Sequence, residues 1–424
     1  MMRKPLKILC LVMFLVVIVS GCGANFSSLG NQAVPKIIIV PTPTGSNTGS
    51  GTGAPTGTSS GPTAPSGSSP SPSATPANIS GFGPADLRTI YGVDKQNYRG
   101  DGTTICLIEA YDNSLAIPDA QTYAKQFNLP SPNVTIVPVS TTIDADTVNW
   151  HVETTLDIDM VMSVAPNAKI IILNAQNATE AALFVAVGQV PKNGCNVVSM
   201  SYGGAGSQAE VTNQNLYELP GIAFFASSGD VTGTPEYPSL QPGVIAVGGT
   251  SVNISGNNIT ETVWNISSKE GEGGGFDTLF PFPSYQKGFN SNAGKQAPEV
   301  TAVADPNTGV AIYTGGSWVK AGGTSASSPL WASMTALVYQ GRKQNNLAVI
   351  QDMHQAIYAG LSTIPSTVFR DVVSGSIKES TGTTYSASTG YDAVSGFGSP
   401  IANQIITYLT SSSAAGVNVM TQFK

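Results

Sequence analysis

The sequence predicts a doubly wound α/β domain with a mainly parallel sheet. Short runs rich in Val, Ile and Phe recur along the chain, and several are apolar on both faces, as strands buried in a parallel sheet are. Segments with a helical period lie between these runs. Alternation of strands and helices is typical of doubly wound sheets, which carry their ligand sites beyond the carboxyl ends of the strands.

The predicted elements follow in order along the chain. The expected strands are residues 103–111, 134–139, 169–174, 196–202, 222–227 and 244–247. The helical patterns between them cover residues 115–127, 152–164, 179–190 and 209–219. After residue 250 the chain becomes rich in loops, and a further helix is expected over residues 325–340.

The first residues indicate export from the cytoplasm. Three basic residues precede an apolar run at residues 8–19, which is too short to span a bilayer and suits the core of a signal peptide. The string Val-Ser-Gly-Cys that ends at Cys22 resembles a bacterial lipoprotein cleavage box; the alternative is an ordinary signal peptide that contains a cysteine. We expect a mature chain that carries lipid on Cys22 and is extracytoplasmic, anchored to the outer face of a bacterial membrane or released from it.

A segment of low complexity separates this anchor from the folded region. Residues 41–80 consist almost entirely of Gly, Ser, Thr, Pro, Ala and Asn, without charge. This composition cannot bury enough apolar surface to fold, so a flexible linker is expected. The predicted organisation is a signal peptide at 1–21, a lipid-anchored linker at 22–80, a folded domain at 81–411 and a frayed tail at 412–424.

The composition restricts the partners. Charged residues make up 11% of the chain and the formal net charge is −7, which argues against nucleic acid, since nucleic-acid binding needs a basic face. The expected partners are a peptide or protein substrate and, through the anchor, a membrane. The domain is expected to be a monomer.

The cysteines and histidines do not indicate a zinc site. The chain has no CxxC or HExxH spacing and only two histidines. Cys106 and Cys195 each lie inside or beside an apolar, strand-like run. This setting favours buried thiols over a disulfide or a metal pair.

A candidate nucleophile comes from a string that occurs twice. Gly-Gly-Thr-Ser ends at Ser251 and again at Ser325. Ser251 is followed by a turn, whereas Ser325 is followed by a helical pattern that holds Pro329 in its first turn. A helix N-terminus favours developing negative charge, so Ser325 is the candidate. The alternative is a serine that only caps a helix.

Two carboxylates could activate that serine. Glu153 and Asp157 are four residues apart in a helical pattern and share one face. Two carboxylates this close do not both ionise easily, so the pKa of one is expected to rise, which suits a base that works in acid. The alternative is a solvated acidic face.

A third carboxylate follows a buried strand. Asp230 ends the string Ser-Ser-Gly-Asp, directly beyond the strand at residues 222–227. If protonated, its carboxyl group could donate a hydrogen bond to an oxyanion. The alternative is an aspartate that forms a turn.

Together these segments resemble the sedolisin family of serine-carboxyl peptidases, whose domain is subtilisin-like in fold. The Glu-x-x-x-Asp helix, the Ser-Ser-Gly-Asp string and the second Gly-Thr-Ser string match in order and spacing, and the likeness covers residues 83–400. The resemblance implies an acid-active peptidase in which Ser325 is the nucleophile, Glu153 its base, Asp157 the partner that tunes Glu153, and Asp230 the oxyanion donor. It also identifies the first Gly-Gly-Thr-Ser as part of a family strand.

The resemblance also implies a substrate-binding edge. The strand that ends near Ser201 runs into Tyr202 and Gly203. These three residues are expected to bind the substrate backbone by β-augmentation. The alternative is a plain strand end followed by a glycine turn.

Near the C-terminus the resemblance implies a calcium-binding loop region that holds one Ca²⁺. The expected ligands are the carboxylates of Asp371 and Asp392 and the backbone oxygens of Val372, Ser388 and Gly390, a hard-oxygen set that calcium prefers. Family members often have glycine where Ser388 stands. The alternative is two unrelated turn aspartates.

Two other functions stay open. Asp112, His151 and Ser325 occur in the order used by subtilisin-type triads, although His151 is two residues from Glu153 and points away from that helix face. The other alternative is a catalytically inactive surface module that binds peptides. Family precursors usually carry a long pro-domain, whereas only the signal and the linker are recognised before residue 81. His354 is expected on the surface of a helix.

Overall fold

The computed structural model describes residues 34–35, 38–40, 73–76, 78–290 and 294–412. All of them belong to one compact unit, Asn31–Lys424. The predicted signal peptide, the predicted lipid attachment site Cys22, most of the linker and nearly all of the tail lie outside the described residues. Within the described ranges, no helix combines the length and apolarity needed to cross a bilayer.

The strands are short, apart from one long hairpin arm. In chain order they are β1 (Val34–Pro35), β2 (Ile38–Val40), β3 (Thr104–Ala110), β4 (Val134–Pro138), β5 (Lys169–Ala175), β6 (Val197–Met200), β7 (Tyr202–Gly203), β8 (Ala223–Ser227), β9 (Val244–Ser255), β10 (Asn258–Val263), β11 (Asn265–Ser267), β12 (Glu270–Gly271), β13 (Gly275–Asp277), β14 (Lys295–Ala297), β15 (Val300–Val303), β16 (Val310–Thr314), β17 (Ser317–Gly322), β18 (Phe369–Arg370), β19 (Ser376–Lys378), β20 (Thr384–Ser386) and β21 (Ser399–Pro400).

The helices fall between these strands. They are α1 (Pro84–Ile90), α2 (Ala116–Gln126), α3 (Trp150–Val164), α4 (Glu180–Val187), α5 (Gln208–Thr212), α6 (Thr324–Gln344), α7 (Met353–Gln355), α8 (Pro365–Val368) and α9 (Ala402–Leu409), and a π-helical turn at Ala356–Gly360 follows α7.

The predicted doubly wound, mainly parallel sheet is confirmed. The central sheet has the order β10-β9-β8-β6-β3-β5-β4, with β15 also paired to β9. Every pairing in it is parallel except that of β10 with β9. Alternate residues of β3 enter different apolar cores: Ile105 packs with α3 and α6, whereas Ile108 packs with α4. Helices therefore cover both faces of the sheet.

Two elements differ from the sequence prediction. The helix expected at 209–219 ends at Thr212, because the side-chain amide of Asn213 donates to the Ala209 carbonyl at 2.9 Å and competes with further helix. β9 continues to Ser255, since its residues 250–255 pair with the whole of β10 and form a hairpin.

The expectation of two free buried thiols is wrong. Cys106 and Cys195 form a disulfide, with their Cα atoms 5.6 Å apart. β3 and β6 are neighbours in the sheet, and Cys195 lies just before β6, so the topology brings the two cysteines together. The sequence alone does not tell which strands are neighbours.

Parts of the segment predicted as linker contact the folded domain. β1 pairs with β7, and β2 pairs with β17. Further along, the Ser73 amide donates to the Phe127 carbonyl at 2.9 Å, and Thr75 binds Asp86 at 2.6 Å. Order therefore extends to residues before 81 at two places within 22–80.

Candidate active site

Ser325 lies in the first turn of α6, directly after β17. Gly323 makes the junction with a φ of 111°, a conformation that glycine adopts readily. The Ser325 side chain is fully buried, and its hydroxyl donates to the Ser201 carbonyl at 3.3 Å. The first amides of a helix have no acceptor within the helix. In α6 the Thr324 amide donates to Asp230 at 2.8 Å, and the Ala326 amide donates to the Gly323 carbonyl at 3.0 Å.

Pro329 has a different position from the one predicted. The helix begins at Thr324, so Pro329 lies past the first turn and inside α6. Its missing N–H would have bonded to the carbonyl four residues earlier, which is that of Ser325. That carbonyl instead lies 3.3 Å from the Ser201 hydroxyl.

Ser201 connects Ser325 to a buried carboxyl group. Its hydroxyl donates to Asp157 Oδ1 at 2.6 Å, while its carbonyl accepts the Ser325 hydroxyl. Ser201 stands immediately beyond β6, and Asp157 lies in the middle of α3. Ser201, at the carboxyl end of the parallel strand β6, therefore lies between the Asp157 carboxyl group and Ser325.

The two acids on α3 are deeply buried. Glu153 is 1% exposed and Asp157 is fully buried. Burial raises the pKa of Asp157 well above its usual value, and the nearby charges of Glu109 and Glu153 raise it further. The two acids therefore share one buried environment, and the alternative of a solvated acidic face is wrong.

Glu109 is a site residue that the sequence reasoning missed. It lies on β3 and accepts from Trp150 Nε1 at 2.8 Å and Thr154 Oγ1 at 3.0 Å. Burial raises its pKa to about 7 despite these hydrogen bonds. A glutamate within the apolar run Ile-Cys-Leu-Ile-Glu-Ala is the signal that could have identified it, because buried carboxylates need partners.

Asp230 contacts Thr324, the residue before Ser325. It follows β8 through Gly229, whose φ is 122°, and it is 7% exposed. Its Oδ1 accepts from both the amide and the hydroxyl of Thr324, at 2.8 and 2.7 Å. Asp230 therefore fixes the residue that precedes Ser325.

A second acid missed by the sequence reasoning supports this turn. Glu272 is fully buried and accepts from the Ser228 hydroxyl at 2.7 Å and from the Gly249 amide. Burial raises its pKa to about 8, although these hydrogen bonds lower it; the charge of Asp230 adds to the rise.

The predicted substrate edge is a strand that follows Ser201, the residue hydrogen-bonded to Ser325. Tyr202 and Gly203 form β7, which pairs antiparallel with Val34–Pro35, and the next residue, Gly204, forms a bridge with Tyr237. The structure therefore brings Ser201, β7 and Ser325 together at one end of the sheet.

The residues of the alternative triad are not brought together. His151 Nδ1 lies 2.9 Å from Asp146. The Asp112 carboxylate accepts from the backbone amide of Ser114 at 3.0 Å and from the Ser114 hydroxyl at 3.2 Å. His151 is also partly exposed at the start of α3. The triad alternative has no support in this arrangement.

Two further expectations can be compared with the structure. Ser251 lies on β9 and donates to Asp305 at 2.6 Å, consistent with a strand residue. The expectation that His354 is on a surface is wrong: it is 2% exposed, stacks on Tyr285 with ring centroids 4.2 Å apart, and lies 3.5 Å from Glu299.

The predicted calcium ligands gather around one loop. Asp371 accepts from the Gly390 amide at 2.8 Å, and Asp392 accepts from the Ser388 amide at 2.7 Å. Val372 is buried beside them in a small apolar cluster. In the described residues no three acidic, histidine or cysteine side chains form a metal cluster, and the expected set needs only two carboxylates. The oxygen donors present fit the chemistry of calcium.

Residues 139–398 match the model of the subtilase family, a peptidase family. Kumamolisin from Bacillus sp. (strain MN-32) is 30% identical over 78% of this chain, and sedolisin from Pseudomonas sp. (strain 101) is 33% identical over 41%. The chain spans 64% of kumamolisin and 30% of sedolisin, less than two thirds of either. The solved structure of Pseudomonas sedolisin, a serine-carboxyl proteinase complexed with two molecules of pseudo-iodotyrostatin, superposes with a TM-score of 0.70 at 25% identity, over 79% of this chain and 99% of that one.

Proposed function

Because this chain belongs to the subtilase family and is of the sedolisin type, we propose that it is an acid-active serine-carboxyl peptidase. Its substrates would be peptides or proteins, and its nucleophile would be Ser325.

One observation carries the proposal: the hydroxyl group of Ser325 is connected through Ser201 to the buried carboxyl group of Asp157. His151, the histidine of the alternative triad, is paired with Asp146 instead. Activation of the serine by carboxyl groups rather than by an imidazole is what distinguishes this arrangement from a subtilisin-type triad.

The reaction begins with attack of Ser325 Oγ on the carbonyl carbon of the scissile peptide. Glu153 takes the hydroxyl proton and then gives it to the leaving amine, which departs as the acyl-enzyme ester forms. Water hydrolyses the ester with Glu153 again as base, which restores the serine and releases the new carboxylic acid.

Two further acids would stabilise this sequence. A protonated Asp230 would donate to the oxyanion of the tetrahedral intermediate, as a neutral carboxyl group can in a buried site. Asp157 would hold the proton that keeps its neighbour Glu153 in the ionised form needed for a base, and its raised pKa supports this role. Both protonated groups favour activity in acid.

One Ca²⁺ would bind at the loop near the C-terminus. Asp371 and Asp392 would supply carboxylate oxygens, and Val372, Ser388 and Gly390 backbone oxygens. The ion would fix the loop and takes no part in the peptidase steps. The convergence of both carboxylates on residues 388–390 supports this site.

The protein would act outside the cytoplasm, held by lipid on Cys22 at the outer face of a membrane. The disulfide between Cys106 and Cys195 supports an oxidising compartment. The apolar run and the lipoprotein-type string in the sequence support the anchor.

The activity is tested with purified full-length protein and a denatured protein as substrate at acid pH. Wild type should produce peptides, and Ser325→Ala should produce none while its thermal unfolding is unchanged. Ser333→Ala, which changes a buried serine elsewhere on α6, should remain active. A folded wild type that releases no peptide at any pH would instead support the inactive peptide-binding module.

A further inference from the structure

Two asparagine side chains, those of Asn113 and Asn174, are buried near the acids of α3. Asn174 Nδ2 donates to the Tyr111 carbonyl at 2.8 Å. Asn113 Nδ2 donates to the Ala110 carbonyl at 3.2 Å and to Asn174 Oδ1 at 2.7 Å. Backbone carbonyls only accept hydrogen bonds, so the two carbonyls fix the orientation of both amides. Asn113 therefore turns its oxygen atom, which also only accepts, away from these partners.

The oxygen of Asn113 faces the hydroxyl group of Thr154, which is fully buried. Thr154 Oγ1 lies 2.7 Å from Asn113 Oδ1, 3.0 Å from Glu109 Oε2 and 3.5 Å from the Trp150 carbonyl. A hydroxyl group has one proton and cannot donate it to all three. At 2.7 Å, two oxygens without a proton between them would repel, so the Thr154 proton points to Asn113. The Thr154 oxygen then accepts from Glu109, which carries a proton in this arrangement.

The surroundings of Glu109 also favour its protonated form. Glu109 is 1% exposed, and burial raises its pKa to about 7. Asp157 is close to it, since the charges of Glu109 and Glu153 add to burial in raising the pKa of Asp157. Tyr202 on β7 is close as well, because burial, Glu210 and Glu109 together raise its pKa. None of these groups can supply positive charge to an ionised Glu109.

We propose that Asn113 and Thr154 form a hydrogen-bond relay that holds Glu109 in its protonated form and so sets the upper pH limit of the peptidase. This inference rests on the proposed function, in which Asp157 holds the proton that keeps Glu153 ionised. An ionised Glu109 would attract that proton and draw it away from Glu153. Asn113 and Thr154 are therefore positioning residues, which act on the reaction through Glu109.

The relay opposes the ionisation of Glu109 because Thr154 has only one proton. When Glu109 ionises, its carboxylate attracts the Thr154 proton, and Asn113 Oδ1 loses its donor. A buried acceptor without a donor is costly, so this loss raises the pKa of Glu109. Removal of the Asn113 acceptor should free the Thr154 proton for the carboxylate and lower that pKa.

The first test compares pH profiles of kcat/KM on a denatured protein. Asn113→Leu keeps the size of the side chain but removes the acceptor, and its alkaline limb should lie about one pH unit lower than that of the wild type. Thr154→Ser keeps the hydroxyl group and should keep the wild-type limb. In a Thr154→Val background, Asn113→Leu should no longer move the limb, because the proton that it releases is absent.

Asn196→Leu is the matched control. Asn196 Oδ1 accepts from the Thr104 amide at 2.8 Å, at the opposite end of β3 from Glu109, so its limb should coincide with that of the wild type. Circular dichroism at each pH restricts the comparison to folded protein. A limb that Asn113→Leu leaves in place, or that Asn196→Leu moves equally, would overturn the inference and leave the proposed function standing. A folded wild type without activity in acid would defeat both.

The second test requires neither activity nor a stable Asn113 variant. The infrared C=O stretch distinguishes a protonated carboxyl group from a carboxylate, and near pH 6 solvated carboxyl groups are ionised. Ser325→Ala should show a protonated carboxyl band at about this pH that is lost in Ser325→Ala/Glu109→Gln. Identical spectra of the two proteins would show that Glu109 is ionised there and would overturn the inference.

Discussion

The Asp230 carboxylate accepts two hydrogen bonds from Thr324, at 2.8 Å from its amide and 2.7 Å from its hydroxyl. Thr324 precedes Ser325, so this contact links the turn after β8 to the first turn of α6. The same carboxyl group is the proposed donor to the oxyanion, and its position would then serve both the fold and the reaction.

Substitution of Asp230 should mainly lower kcat. Asp230→Ala removes the proposed oxyanion donor and should reduce kcat by roughly 10²–10³-fold with little change in KM, as loss of one such donor does in other enzymes. Asp230→Asn keeps a donor and should retain more activity than the alanine variant. Steady-state kinetics at acid pH checks both variants. A threefold effect or smaller in Asp230→Ala, on the order of ordinary surface substitutions, would exclude the oxyanion role.

Stability should fall as the pH rises from acid to neutral. Burial raises the pKa of Glu109 from 4.5 to about 7 and that of Glu272 from 4.5 to about 8. Between pH 4.5 and the folded-state pKa of each group, the folded state binds more protons than the unfolded state. The stabilisation is therefore complete below pH 4.5 and is lost as the pH rises through the folded-state pKa, about 7 for Glu109 and about 8 for Glu272. Each group contributes a slope of at most about 1.4 kcal/mol per pH unit in its window.

Urea unfolding of the Ser325→Ala protein at several pH values measures this slope without self-digestion. Introducing Glu109→Gln should flatten the profile between pH 4.5 and about 7, because the amide does not ionise. Glu299 affects the pH dependence of stability in the opposite direction. The charges of Lys295 and His354 outweigh its burial and lower its pKa to about 2, so its contribution to folding stability is present above pH 4.5 and is lost as the pH falls below that value. An unchanged slope in Glu109→Gln would contradict the assignment of this part of the pH dependence to Glu109.

Loss of the disulfide should destabilise the domain without abolishing the active-site arrangement. The bridge joins cysteines 89 residues apart, and closing a loop of that length is worth about 2–5 kcal/mol. The double variant Cys106→Ser/Cys195→Ser should lose this amount in urea unfolding, and a reducing agent should destabilise wild type but not the variant. Equal stability of wild type with and without reductant would show that the bridge does not form in solution.

Calcium should raise the thermal unfolding midpoint, because a ligand that binds only the folded state stabilises it by about 3 kcal/mol at a hundredfold excess over its Kd. A chelator should lower the midpoint of wild type and leave Asp371→Asn unaffected. Asp112→Asn changes an exposed acid far from the loop in sequence and should keep the full response to chelator. A wild type whose midpoint does not respond to chelation would remove the calcium proposal.

Much of the fold could be predicted because parallel strands buried on both faces leave apolar runs such as Lys-Ile-Ile-Ile-Leu in β5. The disulfide and the hydrogen-bond partners of Glu109 and Glu272 could not, because each depends on which segments the fold brings together. The sequence predicts Pro329 in a first turn, but it is the sixth residue of α6 and lies inside the helix. Nothing in the composition of residues 34–35 indicates that they pair with β7.

The most direct test of the central claim is the pH–activity profile of the wild type beside those of His151→Ala and Glu153→Gln, measured on a denatured protein from about pH 3 to about pH 8. The account predicts a maximum in acid that His151→Ala leaves unchanged, and a loss of about 10²-fold or more in Glu153→Gln. A maximum near neutrality that is abolished by His151→Ala but not by Glu153→Gln would contradict it.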